Sequence, residues 1–68
     1  MSFSMAPLLM HDTDLPAAIR EQLRAAYLGE PERRDDHLVT AARLMHQELA
    51  LECSDARELV GLPASYAC

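Results

Sequence analysis

Residues 36–52, DHLVTAARLMHQELALE, run without a Gly or Pro, and their apolar positions decide the fold. Leu38, Ala41, Ala42, Met45 and Leu49 recur at spacings of three and four, which is the period of one face of an α-helix. A second apolar line lies beside the first. On a continuous helix Leu44 and Leu51 differ by about 20° in direction, with His37 about 20° to 40° from them. That line stands roughly 100° to 160° away from Leu38, Met45 and Leu49. Two separate lines need two separate neighbours, either two other helices of the chain or one helix and a second molecule.

Upstream, Asp12, Thr13 and Asp14 offer N-cap side chains, Pro16 suits a first turn, and Gly29 followed by Pro31 stops the pattern. The spacing predicts a helix over 14–28, with Leu15, Ile19, Leu23 and Ala26 on one face and Tyr27 at its edge. Arg20, Glu21 and Arg24 lie opposite. The link to the next helix, GEPERRDD at 29–36, is short, so the two helices are expected to pair antiparallel. Downstream, Ser54 is a good N-cap for a short third helix over about 55–60 that ends at Gly61, with Pro63 beyond. The expected core is Leu15, Ile19, Leu23, Leu38, Met45 and Leu49.

The ends are less regular. Residues 1–11, MSFSMAPLLMH, carry no Asp, Glu, Lys or Arg. Phe3 and Met5 alternate with Ser2 and Ser4, a short strand-like pattern ended by Pro7. Leu8, Leu9 and Met10 are too apolar for a free tail and should dock on the chain's own core or on a partner. Residues 63–68, PASYAC, show no period and are expected to fray. The whole is one all-α domain over 1–68: a long helix pair and a short C-terminal helix, preceded by an apolar segment over 1–12 that includes a short extended stretch, and completed by dimerisation.

Composition narrows the class further. At 68 residues there is room for one thin core, and chains of this size lean on disulfides, metals or self-association for stability. The apolar mass is Leu, Ala and Met, with aromatics at only 4%, which favours helix and leaves too few β-branched residues for a sheet fold. Eleven acids against six bases, all of them Arg, give a net charge of −5. That field repels nucleic acid, and Arg33 and Arg34 are hemmed in by Glu30, Glu32, Asp35 and Asp36. No apolar run approaches the length needed to cross a bilayer. Two cysteines, Cys53 and Cys68, are a thin framework, and residues 1–10 lack the basic start of a secretion signal, so reduced thiols in the cytoplasm are expected.

No constellation of residues supports catalysis. His11, His37, His46, Cys53 and Cys68 form no CxxC, HxxxH or HExxH spacing, so no metal site is expected. Cys53, continuing the Leu38–Leu49 face, reads as a buried and inert thiol rather than a nucleophile, because Glu52 and Asp55 beside it disfavour a thiolate. Gly29 and Gly61 alone build no phosphate loop. No catalytic, cofactor-binding or metal-binding residue is assigned.

A strand followed by two helices resembles the layout of a ribbon-helix-helix DNA-binding dimer, in layout only. Such proteins read bases with basic or polar strand residues, and Ser2 and Ser4 between Phe3, Met5 and Pro7 do not suit that task. A helix-turn-helix over 38–60 would present Arg57 alone between Asp55 and Glu58. A third class, a peptide substrate bearing Ser65 and Cys68 for a modifying enzyme, rests on those two residues. The surviving reading is a small acidic regulatory or adaptor protein, not an enzyme, that works through protein–protein contact as a homodimer. Leu44, Leu51, His37, Phe3, Leu8 and Leu9 are its expected interaction surface.

Overall fold

A computed structural model describes residues 6–62, and their side chains from Leu8 onward. Among these residues the chain is mostly helical and holds no strand. In chain order the elements are α1 (Ala6–Leu9), α2 (Ala17–Leu28), a 3-10 turn (Pro31–Arg33), α3 (Arg34–Leu49) and α4 (Cys53–Val60). The central element is α3, with α2 and α4 both packed against it and α1 resting on α2.

The direction of the α2–α3 pair follows from two contacts. Arg34, at the start of α3, donates from Nε to the Ala26 carbonyl at 3.3 Å. One turn further on, His37 Nδ1 lies 2.9 Å from Gln22 Oε1, one turn further back. The helices therefore run antiparallel. The Arg34 guanidinium also sits 5.4 Å from the centroid of the Tyr27 ring, so the same side chain ties both ends of the link.

Apolar contacts fill the space between the helices. Ile19, Leu23 and Ala26 from α2 meet Leu38, Ala41, Ala42 and Met45 from α3, and Ala56, Val60 and Leu62 close the third side. Small residues at 41, 42 and 56 let the backbones approach, while Ile19, Leu23, Met45 and Val60 supply the volume. Leu9, Met10, Leu15 and Val39 pack half-buried around this centre.

Several expectations drawn from the sequence are revised. Residues 6–9, at the end of the strand-like stretch, form a turn of helix with Pro7 in its first turn, where a missing N–H costs nothing. Ser2, Phe3, Ser4 and Met5 lie outside the described residues. Asp12 does not cap α2. Its Oδ1 accepts from the Asp14 N–H at 2.9 Å, shaping the loop, while Pro16 stands at the N-cap and its carbonyl takes the Ile19 and Arg20 N–H groups. At α4 the helix starts at Cys53 after Glu52, so Ser54 is inside the first turn rather than at the cap.

Helix α3 ends at Leu49, three residues before the breaker-free stretch 36–52 does. Ala50 adopts the left-handed region (φ 56°, ψ 25°) and breaks the screw. Leu51 thus leaves the helix and turns back toward the core. Leu49, expected in the core, is 37% exposed. By the pairing of 34 with 26 and 37 with 22, the last turn of α3 lies level with residues that precede Ala17, so α2 offers no turn to cover it.

Candidate interaction surface

Each residue of the expected surface has a definite place. His37 is half-buried between α2 and α3, held by Gln22. Leu44 is half-buried against the core. On α3, Ala41 falls between Leu44 and Leu38 in direction, about 60° from each, and it is fully buried. The two apolar lines are therefore one broad face. Leu51 is half-buried against the same core from the α3–α4 turn, where its carbonyl accepts the His46 Nδ1–H at 2.7 Å. Leu9 packs on the core as well. Phe3 lies outside the described residues.

Among the described members of the set Leu8 alone faces water, at 65% exposure on α1. Leu28, which the periodicity left unassigned, is 71% exposed at the end of α2. The signal for Leu28 was present. It lies about 180° around α2 from the fully buried Ile19, on the side of Glu21 and Arg24. Leu8, Leu28 and Leu49 are the large apolar side chains left exposed among the described residues.

The polar surface is strongly acidic. Glu30, Glu32, Asp35 and Asp36 are all exposed around the start of α3, alongside Arg33 and Arg34. On α4 the exposed residues are Ser54, Asp55 and Glu58, while Arg57 is half-buried. The helix that would enter a DNA groove in a helix-turn-helix thus presents acids outward. Among the described residues, no three His, Cys, Asp or Glu side chains come together as a metal-ligand set. No helix among them is long and apolar enough to cross a membrane.

Cys53 departs from expectation in position and in chemistry. It is the first residue of α4 rather than a continuation of the α3 face, and it is half-buried. It is disulfide-bonded, not a reduced thiol.

Compared with protein-family models, with curated proteins and with solved structures, the chain matches none.

Proposed function

We propose that this protein is a small non-enzymatic regulator or adaptor that works through protein contact, with a second copy of itself as its first partner. The observation that carries the reading is the exposure of Leu8 and Leu28, at 65% and 71%, the most exposed of the large apolar side chains among the described residues. Burying such a side chain is worth about 1.5–3 kcal/mol, and a two-fold contact would bury each leucine twice. This moves the contact away from Leu44 and Leu51, whose own core already occupies them, and onto α1 and the end of α2. The acidic surface suits a further partner with a basic groove.

Sedimentation over about 1–100 μM, a range that brackets a dimer held by about 8 kcal/mol, tests the reading. Leu8→Asp and Leu28→Asp should each shift the chain to monomer while leaving its helical circular dichroism intact. A wild-type chain that stays monomeric at the top of that range would refute it.

The compartment turns on Cys53. A structural disulfide belongs to an oxidising compartment, whereas the cytoplasm expected from the sequence would hold the same residue as a thiol. The two settings are separated by alkylating the protein in its native source before lysis.

A second reading has one observation in its favour. Helices α3 and α4 are joined by three residues, Ala50, Leu51 and Glu52, the connection length of a helix-turn-helix. The acids on α4 weigh against DNA as its target. Binding to duplex DNA at low salt that weakens steeply as salt is raised would restore it.

A further inference from the structure

We propose that two copies of the chain meet along the outer face of α2, antiparallel, across a two-fold axis that passes between residues 22 and 23. The inference rests on the dimer reading above and gives it a surface and a register. Ala17, Glu21, Arg24 and Leu28 follow one another at spacings of four, three and four, the repeat of a seam between two helices. Their directions fall within about 60° of one another, on the side of α2 opposite the buried Ile19 and Ala26. All four are exposed, and Leu28 at 71% is the most exposed large apolar side chain among the described residues. Neither the Glu21 nor the Arg24 side chain is engaged in a hydrogen bond or ion pair among those residues, so both charges are open to a partner.

The order of these residues decides between the two ways of pairing α2 with itself. In a parallel two-fold contact each residue faces its own copy, which sets Glu21 against the partner's Glu21 and Arg24 against the partner's Arg24. Two like-charge contacts at the centre of a small interface oppose association. In the antiparallel contact the midpoint between Glu21 and Arg24 is also the midpoint between Ala17 and Leu28, so both pairs close about one axis. Glu21 then meets the partner's Arg24, and Arg24 the partner's Glu21. Each Leu28 lies over the partner's Ala17, whose methyl leaves room for the larger side chain, a knob and a hole repeated at both ends. Ala18 and Ala25, about 80° to 100° around the helix from Ala17, border the seam with side chains too small to hold the two helices apart. Leu8 sits on α1, outside this line, so the register depends on α2 alone.

The size of the contact sets its strength. The four seam residues span about 17 Å of helix. One twelve-residue helix against its copy covers less than the roughly 1,200–2,000 Å² of a stable interface, so pairing in the upper micromolar range is expected. Because the two ion pairs stay close to water, they choose the register more than they supply the affinity, and salt weakens that choice.

The test is sedimentation equilibrium at low salt near about 100 μM, on wild type, Glu21→Arg, Arg24→Glu and the double variant that carries both changes. Each single change sets like charges against each other at both symmetry-related positions, and should weaken pairing by about tenfold or more. The double variant restores opposite charges and should pair as the wild type does. An equal mixture of the two single variants should form a mixed dimer, since one copy then brings two arginines to the seam and the other two glutamates. Glu48→Arg, the same charge change on α3, should pair like wild type, and all variants should keep the helical circular dichroism of exposed-site changes. High salt should shrink the differences. A wild type that stays monomeric overturns the dimer reading and the register with it. A wild type that pairs, with both single variants pairing equally well or with no preference for the mixed dimer, overturns the register alone.

Discussion

At Ala50 the backbone takes a conformation that Ala adopts at a cost. A left-handed residue with a Cβ is disfavoured by roughly 1–2 kcal/mol, and Gly avoids this while losing more freedom on folding. Ala50→Gly should therefore raise stability by about 0.5–1 kcal/mol, read as a higher urea midpoint. Gly29 behaves differently. Its φ of −93° suits any residue, but a Cβ there would lie 2.5 Å from the Ala25 carbonyl oxygen, which also accepts the Gly29 N–H at 2.9 Å. Gly29→Ala should cost about 1–3 kcal/mol through that crowding. Unchanged chemical denaturation of the variant would show that the α2 end relaxes freely. Both glycines were legible as helix stops because Gly and a following Pro punctuate the pattern. Ala50 was not, since Ala is the best helix former and nothing local marks it as a terminus.

Among the elements, α3 shows how periodicity identifies a face but not its extent. Leu38, Ala41, Ala42 and Met45 are buried, yet Leu49 on the same line is exposed, because its burial depends on where α2 begins. Met45→Ala should cost about 2–5 kcal/mol and Leu49→Ala less than about 1 kcal/mol, although both remove an apolar side chain from one helical line. Equal losses in paired thermal melts would mean that Leu49 is covered by something beyond the described fold. The second line at Leu44 and Leu51 misled for a related reason. Its geometry assumed an unbroken helix through 52, and the turn at Ala50 instead carries Leu51 and all of α4 back across the core. Leu44→Asp should accordingly lower the melting temperature of the chain whatever its state of assembly. A soluble, fully stable Leu44→Asp protein would return Leu44 to the list of contact residues.

As a whole the molecule is a thin body, 26 × 25 × 18 Å across its Cα positions, which is little more than two helix layers. Its accessible surface is 4463 Å², close to the roughly 4,300 Å² expected of a folded monomer of this mass. Self-closure of the core is thus compatible with the burial, and any association draws on the leucines left outside it. The mostly helical class and the burial of Ile19, Leu23, Leu38 and Met45 were legible, because a broad aliphatic face and two glycine stops are local signals. The state of Cys53 depends on which distant residue arrives and has no local signature of that kind, whereas the exposure of Leu28 was legible from its place beside Glu21 and Arg24 on α2. The central claim, that Leu8 and Leu28 pair one chain with another, is tested most directly by sedimentation equilibrium of the wild type and of Leu8→Asp with Leu28→Asp combined. The account predicts a dimer of the wild type near 100 μM and a folded monomer of the double variant, since buried carboxylates would cost several kcal/mol at the contact. A wild type that remains monomeric there, or a double variant that assembles as the wild type does, would contradict it.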